Sequence, residues 1–152
     1  MKEATDEKRI IANNPKAKHD YTILETLECG VVLVGTEVKS VRNKKVNLKD
    51  SYAIIKNGEL FILNMHISPY EEGSFSNVNP TRTRKLLANK REIVKLSNQV
   101  AQKGATLIPL SIYFNKNHVK IEIAVVKGKK LYDKRQDIAK KDADRRMRRT
   151  SD

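Results

Sequence analysis

At 152 residues, with 31 Lys/Arg against 18 Asp/Glu and a formal net charge of +13, the chain is long enough for one domain with a true core plus basic extensions. That charge balance points to a polyanionic partner, either nucleic acid or an anionic membrane surface. Membrane is the weaker reading: no apolar run approaches the ~18–20 residues that span a bilayer, and the basic C-terminus carries no Trp or Phe with which to insert at an interface.

The N-terminal MKEATDEKRIIANN places charges on both sides of only three apolar residues, Ile10 to Ala12, which is no signal-peptide core; a cytoplasmic protein is expected. The single cysteine, Cys29, cannot close an internal disulfide and suits a reducing compartment. Residues 1–18 read as an irregular polar arm, broken by Asn13, Asn14 and Pro15. From Tyr21 to Leu27 a strand places Tyr21, Ile23 and Leu27 on one face, with Thr22, Leu24 and Thr26 opposite. Gly30 punctuates, and VVLV (31–34) reads as a second, short strand. Thr36 is a suitable N-cap for a short helix, EVKSVRNKK, whose Glu37 favours the N-terminal dipole and whose Arg42, Lys44 and Lys45 favour the other end.

SYAIIK (51–56) and ELFILNM (59–65) are β-rich runs separated by Asn57-Gly58, the dipeptide preferred by a type I′ hairpin. After a polar loop, 68–80, the stretch RTRKLLANKREIVKLSNQVAQKG predicts a long helix. In it Leu86, Ile93, Leu96 and Val100 fall at spacings of seven, three and four, with Gly104 placed as C-cap. ATLIPLSIYF (105–114) and HVKIEIAVV (118–126) read as two further strands. Mostly short strands with helices between them predict a mainly β fold with flanking helices, an OB-like antiparallel barrel, with a ferredoxin-like sheet as the alternative. The expected division is an N-terminal arm (1–18), a barrel with helices (19–126) and a basic tail (127–152).

Catalytic and metal chemistry finds few residues. GVVLVGTE (30–37) has the glycine spacing of a phosphate loop, but bulky β-formers fill it and Thr36-Glu37 stands where Lys-Ser/Thr should. His19, His66 and His118 are far apart, a lone cysteine cannot build a structural zinc site, and no nucleophile, base and oxyanion donor assemble. Cys29 reads as a small buried side chain. No enzyme activity, metal or cofactor is expected. Basic groups are better supplied. Arg82, Arg84 and Lys85 would open the long helix, where cations oppose the dipole at about 0.3–1 kcal/mol each, a cost that phosphate contacts would explain. Lys39, Arg42, Lys44, Lys45 and Lys49 surround the short helix and could share that face.

The tail, residues 127–152, holds eleven Lys/Arg against five Asp, a net +6 within the last sixth of the chain. Asp137 and Lys141, Asp142 and Arg146, and Asp144 and Arg148 are acid-before-base pairs four apart, each contributing about 0.2–0.5 kcal/mol to a helix. Ala139, Ala143 and Met147 bury little. The tail is therefore helix-competent without being helix-stable. It is expected to be disordered when free and to fold on a polyanion that neutralises Lys140, Lys141, Arg145, Arg146, Arg148 and Arg149.

Read together, ECGVVLVGTEVKSVR, NLKDSYA, NPTRTRKLLANKREI and KGKKLYDKR resemble the SmpB family, bacterial partners of transfer-messenger RNA, over residues 14 to 149. The resemblance implies an OB-like barrel that binds the tRNA-like domain of transfer-messenger RNA and delivers it to stalled ribosomes for trans-translation, its body standing in for the missing anticodon arm. It implies that the tail enters the small-subunit decoding centre and the empty mRNA channel and becomes helical there. Asn14, His19, Glu28 and Gly30 match family positions on the RNA-facing side of the barrel, and Leu87 and Asn89 match positions on the long helix that belong to the same face. Gly128, Lys129 and Lys130, with Asp133, Lys134 and Arg135, match the tail motif for accommodation on the ribosome. Tyr132 departs from the family, where many members carry histidine, which leaves stacking on a base but no titratable imidazole. A monomer is expected. A structural ribosomal protein with an rRNA-binding basic tail is the alternative.

Overall fold

The computed structural model describes residues 8–70 and 77–128. Along the chain these form β1 (Lys8–Asn13), α1 (Pro15–Asp20), β2 (Tyr21–Val31), α2 (Gly35–Arg42), β3 (Val46–Asn47), β4 (Tyr52–Lys56), β5 (Glu59–Leu63), β6 (His66–Ile67), β7 (Arg84–Leu87), α3 (Lys90–Lys103), β8 (Thr106–Asn115) and β9 (His118–Gly128). The β4–β5 hairpin is set locally. Asn57 and Gly58 both take positive φ, 54° and 77°, as a type I′ turn requires, and the register runs from Tyr52↔Leu63 to Lys56↔Glu59.

The β8–β9 hairpin is also local, turning between Asn115 and His118; the other pairings are antiparallel and join segments farther apart. Six strands close on themselves in the order β8–β4–β5–β7–β2–β9 and back to β8, an OB-like barrel with no unpaired strand in its ring. Register shifts at Ile23/Glu25 and Pro109/Ser111 are bulges within the ring that add the twist closure needs; a third, at Ile10/Ala12, lies in the pairing of β1 with β8. The ring encloses one apolar core built on Cys29, Leu60, Ile62, Leu86, Ile112, Ile121, Ile123 and Val125, capped by Ile93 and Leu96 of α3. A satellite cluster of Ala17, Ile108, Leu110, Ala124 and Val126 seats α1 against the outside of β8 and β9.

Five sequence expectations change. Residues 8–18 are not irregular: β1 pairs with β8 from Lys8↔Asn115 to Asn13↔Ser111, and Pro15 sits at the first turn of α1, where its missing N–H costs nothing. Gly30 does not break the strand, because β2 runs through it to Val31, paired with Lys120 on one side and Leu87 on the other. The short helix begins at Gly35 with Val34 as N-cap; valine has no side-chain acceptor, and the Glu37 carboxylate accepts the Val34 N–H at 3.0 Å instead. The predicted long helix splits. Arg84 to Leu87 bury every second residue, a period of two, and fill the gap between β5 and β2, so the helix starts only at Lys90. Gly104 does terminate it, with φ 61°. At the other end β9 carries Lys127 and Gly128, opposite Thr22 and Tyr21, two residues past the expected start of the tail. The expectations for residues 129–152, including Lys129, Lys130, Tyr132, Asp133, Lys134, Arg135, Lys140, Lys141, Arg145, Arg146, Arg148 and Arg149, lie outside the described residues.

Candidate nucleic-acid interface

Strand registry gathers several of the singled-out residues on one outer face. Glu28 and Gly30, two apart on β2, point the same way. Across β9 they oppose Glu122 and Lys120, and across β8 those oppose Ser111 and Tyr113. On the other side Gly30 opposes Leu87 of β7, which is 52% exposed. The chain then passes to Asn89, the exposed N-cap of α3, whose side chain makes no cap hydrogen bond. At the far edge Asn13 opposes Ser111, and Asn14 is fixed to β8 by its backbone N–H to Leu110 O, 2.8 Å, and its Nδ2 to Pro109 O, 3.0 Å. Asn14, Lys18, Ser111 and Glu122 line a groove of about 400 Å³ there. The band thus runs from Asn14 through Glu28 and Gly30 to Leu87 and Asn89. Leu87 and Asn89 reach it from a strand and a helix cap, not from within a helix.

Gly30 matters here for what it lacks. A Cβ at that position would meet Leu87 Cβ at 3.4 Å, so glycine leaves a flat floor where a backbone or base can come close. Tyr113 supplies the main polar contact: its Oη donates to Glu28 Oε2. The ring is 1% exposed and lies beneath the Lys8 ammonium, 4.2 Å from the ring centroid. Burial first, then the Glu28 hydrogen bond and the Glu28 and Glu122 charges, hold the phenol far above its usual range, so it remains a donor. Cys29, between Glu28 and Gly30, faces inward. Burial chiefly, then Glu92 and Glu28, push its thiol up to about 12. The folded protein should therefore take up no iodoacetamide at mildly alkaline pH while the urea-unfolded chain alkylates fully; labelling of the native state would show that β2 opens.

Other singled-out residues fall elsewhere. His19 is highly exposed at the end of α1, its Nδ1 2.8 Å from Asp20 Oδ1. Lys39 lies over Tyr70, 5.2 Å from the ring centroid, and Arg42 over Phe114 at 5.9 Å. Arg9 donates to the Arg42 carbonyl at 3.0 Å, which ties the end of α2 to β1 and so to the Lys8 end of the band. Lys85 projects from the outer face of β7 and pairs with Glu59 at 2.5 Å. Arg84 is a correction. It is completely buried, its Nε 2.6 Å from Glu37 Oε2, and it has no surface to offer a phosphate. Arg82, half-exposed, holds the same carboxylate, Nη2 to Oε1 at 2.6 Å. These arginines do not open a helix; they anchor one.

Tyr113, Lys8, Lys120 and Lys18 were not among the sequence candidates. Tyr113 sits in the apolar run LSIYF, which reads as core, and only registry brings it to Glu28, 85 residues away. Among the described residues no group of three or more His, Cys, Asp or Glu is placed to hold a metal, and no helix is long and apolar enough to cross a membrane.

The chain matches the family model described as SmpB protein over residues 11–152. It is similar to the SsrA-binding protein of Acetivibrio thermocellus, 60% identical over 149 residues, covering 95% of this chain and 97% of that protein. It is similar also to that of Caldicellulosiruptor saccharolyticus, 57% identical over 148 residues, covering 97% and 94%. In structure it resembles a solved chain of tmRNA-SmpB, described as a journey to the center of the bacterial ribosome, with a TM-score of 0.67 and 50% identity over 79% of this chain and 85% of that one.

Proposed function

The chain belongs to the SmpB protein family, and from that premise we propose that it binds the tRNA-like domain of transfer-messenger RNA and delivers it to stalled ribosomes. The observation that carries this reading is the band from Asn14 to Asn89. It offers a flat glycine floor, exposed Leu87 for apolar contact with a base, hydrogen-bonding groups at Asn14, Glu28 and Asn89, and lysines 8, 18 and 120 beside them for phosphates. A surface of this composition recognises RNA by shape and by a few exposed edges. The protein's place of work is that of the ribosome, the cytoplasm. Lys129, Lys130, Asp133, Lys134 and Arg135, with the basic residues that follow, are assigned to the decoding centre and mRNA channel. His19, Lys39 and Arg42, which lie off the band, are assigned as auxiliary phosphate contacts, and Lys85 as an outlying one.

The test is a salt titration of full-length protein on the transcribed tRNA-like domain. Wild type should bind with log Kd rising linearly in log salt. Lys8→Glu and Lys120→Glu should each weaken binding and lower the slope by about one. Absence of wild-type binding would sink the assignment. Wild-type binding with unchanged slopes in both variants would move the phosphate contacts off this face.

A further inference from the structure

We infer that Tyr113 positions the Glu28 carboxylate to accept the two adjacent donors, N1–H and N2–H₂, of an unpaired guanine; this rests on the RNA-binding role proposed above. The starting point is a local conflict. Glu28 and Glu122 are directly opposed in the β2–β9 register, an arrangement that destabilises a sheet, on a chain of net charge +13 where acidic side chains are the minority. Local rules broken without structural return mark functional positions.

Tyr113 does not resolve that conflict by separating the two acids; it fixes one of them. Its strand, β8, is not adjacent to β2. The Tyr113 and Glu28 side chains therefore reach toward each other over β9, from strands two spacings or about 10 Å apart, for Oη to donate to Glu28 Oε2. With the ring 1% exposed and the Lys8 ammonium 4.2 Å from its centroid, the phenol has little freedom, and the carboxylate it holds has little more. Glu28 itself stays exposed, so the hydrogen bond presents the carboxylate to solvent and does not bury it. One lone pair of Oε2 is occupied. The rest of the carboxylate remains open to a ligand.

The chemistry of that ligand follows. An ionised carboxylate only accepts hydrogen bonds and repels phosphate, so its RNA partners are donors. Adenine and cytosine each set one amino group beside a ring acceptor on the Watson–Crick edge, and uracil flanks its imino group with two carbonyls. Guanine alone displays two neighbouring donors there, spaced for the two oxygens of one carboxylate. That edge is accessible only where guanine is unpaired, the usual target of sequence reading in RNA. Gly30, two residues along β2, keeps the approach low, and Lys120 opposite it stands where a flanking phosphate would lie.

Analogue interference on the complete protein tests the inference. The tRNA-like domain is transcribed with sparse inosine, which lacks only the N2 amino group of guanine, and bound and free RNA are sequenced. For wild type, inosine should be depleted from the bound pool at an unpaired guanine. Tyr113→Phe, which keeps the ring and its Lys8 contact, should weaken affinity about tenfold, the size of one base contact. It should also erase the depletion at that position and no other. Glu28→Gln, at an exposed site that leaves the core intact, should give the same pattern. Wild-type binding with no guanine dependence, or Tyr113→Phe with an unchanged inosine pattern whatever its melting temperature, overturns the inference and leaves the RNA-binding role standing. Failure of wild type to bind the RNA at all removes both.

Discussion

Replacing Glu37 with alanine is expected to destabilise the fold by about 3–5 kcal/mol, a fall in melting temperature on the order of 10 °C for a domain of this size. Glu37 is 4% exposed and Arg84 0%, and the guanidinium is fully engaged. Its Nε meets Glu37 Oε2 at 2.6 Å, Nη1 donates to Met65 O at 2.7 Å and Arg82 O at 3.2 Å, and Nη2 to Pro80 O at 2.9 Å. Arg82 and the Val34 N–H complete the carboxylate. Taking two charges out of water is costly, and only this completeness offsets it. Removing the acid strands a buried cation. Removing both charges with Glu37→Leu and Arg84→Met should cost far less than the two single changes combined, because neither desolvated charge remains. Urea denaturation of the two singles and the double would decide it; singles within 1 kcal/mol of wild type would mean the pair is dispensable.

The same cluster gives the acid limb a definite sign. Burial alone would raise the Glu37 carboxyl, but the hydrogen bonds from Arg82, the Val34 N–H and Arg84, with the Arg84 charge, hold it below its ordinary 4.5. A carboxyl depressed in the fold contributes stability that is complete above its unfolded value and fades as pH falls through the folded one. Stability should therefore drop below about pH 4.5, and Glu37→Gln should flatten that part of the profile. Because α2, β7 and the carbonyls of Met65 and Pro80 all meet here, arginine variants at 84 should reduce RNA affinity only as the fold loosens, without changing its salt slope.

What could be read in the sequence follows the range of the forces that decide it. Asn57-Gly58 and Gly104 are local choices of backbone conformation, and both stand as read. The alternation of Ile121, Ile123 and Val125 likewise marks the inner face of β9. Leu86 misled because it lies seven residues before Ile93, a helical spacing, whereas its burial comes from pairing β7 between β5 and β2. The first strand was illegible for the same reason: KRIIAN is polar on three positions of six, and only the edge of β8, a hundred residues later, makes it a strand. In the site, the resemblance to a family pointed to Glu28, Gly30, Leu87 and Asn89, but their grouping depends on register. Arg84 shows the limit most sharply, since a basic residue in PTRTRKLL looks like a phosphate contact until its carboxylate partner, 47 residues upstream, is placed beside it.

Ending the chain after Gly128 is expected to leave binding to the tRNA-like domain within about threefold at physiological salt while abolishing peptide tagging on stalled ribosomes. The cut belongs there and not after Val126, because Lys127 and Gly128 are rungs of the β2–β9 ladder, opposite Thr22 and Tyr21. Removing residues 129–152 takes away ten Lys/Arg and five Asp, leaving a net +8 of the original +13. Charges that touch no phosphate act only through the general field. At a Debye length of about 8 Å that field is largely screened, so the loss should appear at low salt and vanish at physiological salt. A hundredfold loss that persists at high salt would place part of the tail on the transfer-messenger RNA and make the two activities one. Retained tagging would put the ribosome-reading element on the barrel, where Lys39 and Arg42 become the first residues to change.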